Sequence, residues 1–337
     1  MKVKRIEFPG KDTAEIKEYD QCMSPAEGQV LVRTLFSTIS PGTERAIITD
    51  AHNCPCTPGV FPRYAGYSSS GIVTEVGKGV SSVRVNDRVL MYWSTHSQYN
   101  LLPEKQVIKI PDNVSSEDAA LAFISTFPLA AIRKCRLEVG ESAMVMGCGL
   151  LGQFAVKLLR ISGAAPIIAV DPVQARREEA IRNGADHVYD PNKNGFADEV
   201  KDKTSGGVNV VIEVTGVGAG LDEALDCTAR FGRIALLGCT RDSDFSIDYY
   251  NKIHKPGITL IGAHTNARPG VDSFSGWFTQ NDDIECVLKL LSMGRIEYGS
   301  MRKTPFFSPE DCGEVYQQII SNRSFPTVAQ FDWRAFD

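Results

Sequence analysis

No long run of one charge occurs in this chain. Its 36 Lys and Arg are outnumbered by 41 Asp and Glu, giving a net charge of −5 at pH 7. Without a basic block, neither nucleic acid nor an anionic membrane is expected as a partner. No apolar stretch approaches the ~18 residues that cross a bilayer. The opening Met1-Lys2-Val3-Lys4-Arg5-Ile6-Glu7-Phe8 also lacks the apolar centre of a secretion signal, so a cytoplasmic protein is expected. The nine cysteines are odd in number and irregularly spaced, which argues against a disulfide framework. Their one close pair, Cys54-Pro55-Cys56, has too little chain between its thiols to share a metal and no second pair to complete a site. Internal repeats and low-complexity segments are missing as well. What remains is an ordinary globular composition, 43% hydrophobic and 23% charged over 337 residues, enough for two domains.

The first part of the chain reads as short strands with polar turns. Gln29–Leu35, Ser70–Val76 and Asp87–Met91 have strand character, and Gly77-Lys78-Gly79-Val80 is a turn. After Pro111, Ser115-Ser116-Glu117-Asp118 has the form of a helix start and leads into an Ala-rich apolar segment. From Arg136 strands and helices alternate, the pattern of a parallel doubly wound sheet. Later strands are expected at Val208–Val214, Gly232–Gly238 and Gly257–Gly262. Helices over Asp283–Met293 and Ser308–Ser321 and a strand at Val328–Asp332 are expected to return the chain to the first part.

The most specific feature is Gly147-Cys148-Gly149-Leu150-Leu151-Gly152, set between the strand Ser142–Met146 and a helix from Gln153 to Ser162. Gly147 makes the tight turn, Gly149 lets a pyrophosphate approach the backbone, and Gly152 lets helix pack on strand. The helix N-terminus offers unpaired N–H groups and partial positive charge to the phosphates, and Leu150 and Leu151 in the turn before it are expected to contact the cofactor. A second strand, Ile167–Val170, ends on Asp171, 22 residues after Gly149. A carboxylate there can accept both ribose hydroxyls and repel a 2′-phosphate, so the expected cofactor is NAD rather than NADP. Arg176, five residues further on, could stack on the adenine.

Gly66-Tyr67-Ser68-Ser69-Ser70-Gly71-Ile72-Val73-Thr74-Glu75-Val76-Gly77, followed by Val85-Asn86-Asp87-Arg88-Val89, resembles the medium-chain dehydrogenase/reductase pattern GHExxGxVxxVG…VGDRV. The glycine turn, Asn183-Gly184-Ala185-Asp186 and the C-terminal return match too, so the resemblance covers nearly the whole chain. It implies an α/β protein in which a Rossmann domain (126–270) is inserted in a GroES-like β-barrel catalytic domain (1–125, completed by 271–337). The active site is then expected in the cleft between the two. By the same resemblance Thr215 contacts the nicotinamide ribose, and Gly238 and Thr240 lie near the nicotinamide amide. Family members are usually dimers or tetramers, so a homodimer or homotetramer through Gly257–Ala263 is expected.

Where zinc members of the family place CGxD, this chain has Ser40-Pro41-Gly42-Thr43-Glu44-Arg45. The ligand histidine of GHE is Tyr67, its glutamate is Ser68, and the third ligand's neighbourhood, Ala122-Phe123-Ile124-Ser125, offers no Cys, His or carboxylate. The four-cysteine lobe is replaced by Tyr92-Trp93-Ser94-Thr95-His96. Zinc needs three N, S or O ligands, and hydroxyls that ionise only near or above pH 10 are poor substitutes; no metal is expected. The string Ile39–Glu44 resembles a zinc-lacking branch related to alcohol and polyol dehydrogenases and bacteriochlorophyllide-type hydroxyethyl dehydrogenases.

Without a Lewis acid, the oxygen of the reacting carbonyl needs a hydrogen-bond donor or acid. Tyr67, which takes a ligand position, His96, Ser40 and Glu44 are the candidates. Glu44 could instead hold a basic partner, and Arg45 could face the cofactor's phosphates. Trp277 and Phe278 could cap the substrate, and Tyr64, Tyr67, His96 and Trp277 are expected to line the cleft. The favoured function is an NAD-dependent, zinc-independent oxidoreductase interconverting a secondary alcohol and a ketone on a small sugar, cyclitol or polyol. Reduction of an activated C=C bond and a non-catalytic NAD-binding sensor are the alternatives.

Overall fold

A computed structural model describes residues 1–243, 245–302, 306–321 and 325–336. The chain begins with β1 (Lys2–Gly10), β2 (Thr13–Asp20), β3 (Gln29–Thr38), α1 (Pro41–Ile48), β4 (Arg63–Tyr64), β5 (Ser68–Val76), β6 (Arg88–Tyr92), β7 (Tyr99–Pro103) and β8 (Val107–Lys109). Next come α2 (Ser116–Lys134), β9 (Ala143–Met146), α3 (Leu150–Ile161), β10 (Ile167–Val170), α4 (Gln174–Arg182), β11 (His187–Tyr189), α5 (Phe196–Lys203) and β12 (Val208–Glu213). It finishes with α6 (Gly218–Cys227), β13 (Thr228–Leu236), β14 (Thr259–Gly262), α7 (Gln280–Ser292), α8 (Cys312–Ser321) and β15 (Gln330–Asp332). Two compact units result, one of residues 1–124 with 288–337 and one of residues 125–287.

The first unit is built on antiparallel sheets. One has the order β15-β3-β5-β6-β8, with β7 also paired to β3; the other is β2-β1-β4. β15 joins β3 with Gln330 opposite Thr38 and Asp332 opposite Phe36, so the C-terminal return is a strand of the N-terminal sheet. One core gathers Ile6, Phe8, Ile39 and Ile48 from the N-terminal segment with Tyr316, Phe331 and Trp333 from the return. A second is lined by Val30, Val32, Val73, Val89, Met91, Leu102 and Val107.

The second unit is a parallel sheet of order β11-β10-β9-β12-β13-β14. β9 and β10 are buried at every position, as expected for strands covered on both faces. β9 pairs with β10 on one side and β12 on the other. The strand order therefore reverses at β9, and the carboxyl ends there are where open α/β sheets bind ligands. This is the two-domain α/β architecture expected from the resemblance.

Two boundaries differ from the sequence pattern for identifiable reasons. Helix α3 starts at Leu150 rather than Gln153, because Gly149 is already its N-cap and Gly152 lies inside the first turn. It stops where Gly163 takes φ +87 and Ala164 N donates to Leu159 O at 3.1 Å, a left-handed glycine ending. The chain leaves the second unit at residue 288 rather than 271. The first half of α7 is held there by Asp283, a fully buried carboxylate that accepts from Arg133 and from Arg268.

Candidate functional site

The glycine turn of the second unit is sterically determined. Gly147 has φ +98, and a Cβ there would stand 2.9 Å from Thr215 Cγ2. A Cβ on Gly152 would stand 2.0 Å from the carbonyl oxygen of Gly147, so only glycine lets this helix pack on this turn. Around a Cβ built on Gly149 nothing lies within 4 Å. That face of the backbone is open, and no side chain caps the helix. The amides of Leu150, Leu151 and Gly152 have no intrahelical acceptor, as in any first turn. This is the arrangement that receives a pyrophosphate, and the residues fit a dinucleotide.

Asp171 is 3% exposed. Its Oδ2 accepts from Cys148 N at 2.8 Å and its Oδ1 from Val173 N at 2.8 Å. The carboxylate thereby ties the end of β10 to the glycine turn and keeps one further lone pair on each oxygen for a ribose hydroxyl. Arg176 lies 3.8 Å from Oδ2, beside the carboxylate. Gln153 was not anticipated. Its amide nitrogen donates to Cys148 O at 3.0 Å and Arg176 O at 2.9 Å, and its oxygen accepts from Asn183 Nδ2 at 2.8 Å. It braces the turn against α4. Burial pushes the Cys148 thiol far above its ordinary value, which leaves it an inert turn residue.

At the neighbouring strand ends, Thr215 turns its hydroxyl inward. It donates to Glu213 and accepts from Val217 N at 3.1 Å, so its side chain is occupied by the turn itself. Burial holds the Glu213 carboxyl above its ordinary value, against the opposing pull of the Thr215 hydroxyl and the N–H groups of Thr215 and Gly216. Gly238 donates its N–H to Glu213 O at 2.9 Å. A Cβ on it would stand 2.3 Å from Gly216 N, so backbone meets backbone at this point. Thr240 follows two residues later, half-buried in the loop after β13.

The candidate catalytic residues come together in the first unit. Ser40 is the N-cap of α1, with Pro41 at the first helical position, where its missing N–H is no loss. Its side chain makes no capping bond; instead Ser40 Oγ accepts from the Tyr67 hydroxyl at 2.7 Å. The Ser40 N–H donates to Glu44 Oε1 at 2.8 Å. Glu44 is fully buried. It also accepts from Tyr316 Oη at 2.6 Å and faces His96 Nε2 at 3.2 Å.

The tautomer of His96 follows from its neighbours. Glu44 offers only acceptors, so the facing Nε2 carries hydrogen. His96 Nδ1 lies 2.7 Å from Ser37 Oγ, which accepts from Trp333 Nε1 at 2.8 Å. Both ring nitrogens are engaged and the ring is fully buried. Gly66 sits against it at φ +90, where a Cβ would come within 2.9 Å of Nδ1.

This wiring separates two roles. The link from Glu44 to Ser40 is a peptide N–H, which does not surrender its proton, so no hydroxyl path runs from His96 to Ser40. His96 and Glu44 hold the site. Ser40 and Tyr67 are the pair whose protons can move, and a Ser40 hydroxyl that accepts from Tyr67 keeps its own proton to donate. Tyr67 is half-buried. It stands edge-on to Phe123 with ring centroids 5.9 Å apart, and Trp93 lies 5.9 Å from it on another side.

The donor set does not fit zinc. Ser40 is bound to Tyr67, Ser68 donates to Ala120 O at 2.6 Å, and Ala122–Ile124 is a buried stretch of α2. Among the described residues no group of three or more His, Cys, Asp and Glu could hold a metal ion.

The remaining expected positions have the following surroundings. His96 cannot line a cleft, because it is buried in the core beneath Gly66. Tyr64 belongs to the three-stranded sheet, where its ring lies 5.0 Å from Arg5. Trp277 and Phe278 lie against cations of α2, Lys134 at 4.6 Å and Arg133 at 3.8 Å. Arg45 is exposed on α1. Conversely, Ser37, Tyr316 and Trp333 escaped notice. Nothing in the local sequence marks them, since Tyr316 and Trp333 reach Glu44 and Ser37 from 272 and 296 positions away.

A family model described as zinc-binding dehydrogenase matches residues 151–280. The (R,R)-butanediol dehydrogenase of Bacillus subtilis (strain 168) is 32% identical over 210 residues, covering 54% of this chain and 60% of that protein. The L-threonine 3-dehydrogenase of Pyrococcus furiosus is 29% identical over 318 residues, covering 84% of this chain and 85% of that one. The crystal structure of 2R,3R-butanediol dehydrogenase from Bacillus subtilis superposes with a TM-score of 0.81 at 24% identity, covering 98% of this chain and 99% of that one.

Proposed function

We propose that this chain, similar to the zinc-binding dehydrogenase model and to butanediol and threonine dehydrogenases, is an alcohol dehydrogenase-like oxidoreductase of the medium-chain dehydrogenase/reductase superfamily that interconverts a secondary alcohol and a ketone using NAD and no zinc. The observation that carries this is the Tyr67–Ser40 hydroxyl pair, standing where zinc relatives hold metal ligands and backed by a buried carboxylate. The substrate is a small polyhydroxylated molecule of the sugar, cyclitol or polyol kind. The named relatives act on butanediol and threonine, both secondary alcohols with a polar group on the next carbon.

NAD would be held by the amides of Leu150, Leu151 and Gly152 at its pyrophosphate and by Asp171 at its ribose, with Arg176 alongside. When bound it supplies or accepts a hydride. The remaining chemistry belongs to the side chains. In the reducing direction Ser40 donates its hydroxyl hydrogen to the ketone oxygen and takes another from Tyr67, which is partly exposed and recovers one from water. In the oxidising direction the same pair receives the alcohol's proton. Glu44, which accepts from the Ser40 N–H and faces His96, keeps Ser40 in place. The outer edge of β14, which pairs with no further strand among the described residues and is largely exposed, supports a homodimer or homotetramer.

The test is NADH absorbance with (2R,3R)-butanediol, L-threonine, myo-inositol and sorbitol, in the presence of EDTA. Turnover is expected to survive chelation. Tyr67→Phe should lower kcat by about 10²-fold, the usual worth of a positioned acid. Loss of activity with EDTA would overturn the metal-free chemistry. NAD binding without turnover of any alcohol would overturn the catalytic reading.

A further inference from the structure

Behind the hydroxyl pair lies a buried charge whose partners come from opposite ends of the chain. The Glu44 carboxylate is fully buried, and an anion in that position needs donors on every side. It has three. Ser40 N–H and His96 Nε2 come from the N-terminal part of the first unit, and the third, the Tyr316 hydroxyl, arrives on α8 at 2.6 Å. Tyr316 is itself buried, wedged edge-on against Phe8 with ring centroids 4.8 Å apart and beside Phe331 at 6.2 Å. Its ring is therefore fixed by packing and its hydroxyl has one direction to point.

We propose that Tyr316 is a positioning residue of the reaction: it fixes the Glu44 carboxylate, which through the Ser40 N–H sets where the Ser40–Tyr67 hydroxyl pair stands. This rests on the reading that the pair serves the substrate oxygen. The Ser40 hydroxyl does not cap α1. Its carbonyl accepts from Glu44 N at 2.9 Å, and its own N–H donates back to Glu44 Oε1 at 2.8 Å, so the carboxylate fixes the N–H side of Ser40 that the helix itself leaves free. If Tyr316 no longer donates, Oε2 keeps only His96. The carboxylate can then rotate toward the imidazole and release Ser40. Phenol burial beside Glu44 raises the Tyr316 hydroxyl well above its ordinary value, so it remains a donor over the whole working range.

The experiment is Tyr316→Phe, which keeps the ring against Phe8 and removes one oxygen. Hydrogen exchange of the Ser40 amide is compared with that of Val32, which is paired on both sides within the sheet by β5 and β7. Ser40 exchange is expected to speed by about tenfold more than Val32 exchange, the effect of losing roughly one charge-assisted hydrogen bond. With any alcohol of the panel that is turned over, kcat should fall about tenfold with KM within about twofold, as for an interaction made chiefly in the transition state. In a Tyr67→Phe background the same change should add nothing, because it acts through the pair.

Ser40 and Val32 exchanging in equal proportion would overturn the proposal, as would a full additional loss in the Tyr67→Phe background. Should Tyr316→Phe fail to fold, 3-fluorotyrosine placed at position 316 keeps the shape with a more acidic hydroxyl. It should slow Ser40 exchange, and unchanged exchange would refute the link. An unaltered kcat in Tyr67→Phe alone would instead refute the role of the hydroxyl pair. The Ser40 exchange result would still decide whether Tyr316 holds Ser40.

Discussion

Replacing Glu44 by Gln and by Ala separates hydrogen bonding from charge at the centre of the first unit. Alanine strands three buried donors, the Ser40 N–H, the Tyr316 hydroxyl and His96 Nε2. Breaking a buried pair in this way is worth about 3–5 kcal/mol. Glutamine has the same shape and can keep every bond if the network reorganises. Its oxygen accepts from Ser40, its NH2 donates toward Tyr316 and His96, and the Tyr316 hydroxyl turns to accept. His96 must then move its hydrogen from Nε2 to Nδ1. Ser37 can take that hydrogen, because its oxygen has a second lone pair beside the one used by Trp333. Only the charge assistance is lost, about 1 kcal/mol per bond and roughly 1–3 kcal/mol together. For a unit of this size each kcal/mol lowers the midpoint by about 2–4 °C. Glu44→Ala should therefore melt about twice as far below the parent as Glu44→Gln in calorimetry. Nitrogen-15 NMR should find His96 with hydrogen on Nε2 in the parent and on Nδ1 in Glu44→Gln. A parent imidazole carrying hydrogen on Nδ1 alone, or a Gln variant as unstable as the Ala variant, would refute the wiring.

Other outcomes follow from the same geometry. Gly152→Ala forces a Cβ to within 2.0 Å of Gly147 O, so the turn must open; calorimetric titration should find NAD affinity lowered at least about tenfold while the sheet remains folded. Asp171→Ser should weaken NAD and narrow the preference over NADP, read as the ratio of the two kcat/KM values; an unchanged ratio would place the ribose elsewhere. Lys134 is 6% exposed, and burial, followed by the charge of Arg268, lowers its value from 10.5 to about 8. Below about pH 8 the folded state carries a charge it disfavours, and that penalty relaxes as pH rises toward 10.5. Lys134→Met should therefore gain up to about 3 kcal/mol in urea denaturation at pH 7, and the gain should shrink by pH 10. An equal gain at both pH values would mean the lysine is not strained by its charge.

The sequence by itself determined the glycine turn and the acid that closes the next strand. Gly147, Gly149, Gly152 and Asp171 lie within one strand–turn–helix–strand unit, where Gly152 packs on the Gly147 carbonyl and Asp171 accepts from Cys148 N. A local motif can be read locally. The same holds for the buried strands that mark the parallel sheet, and for the hydroxyl side chains at Ser40, Tyr67 and Ser68, which are a matter of residue type. Boundaries were less legible where two rules overlap, as at Gly152, which is at once the third glycine of the turn and a helical residue. Only the tertiary structure decided what Glu44 and His96 do. A histidine near a tyrosine suggests acid–base chemistry, but its ring is sealed under Gly66 and joined to Ser40 through a peptide N–H. The residues that fix this arrangement, Tyr316 and Trp333, arrive on the C-terminal return. A buried carboxylate must collect its donors from whatever the fold brings near it, and no spacing along the chain records which residues those are.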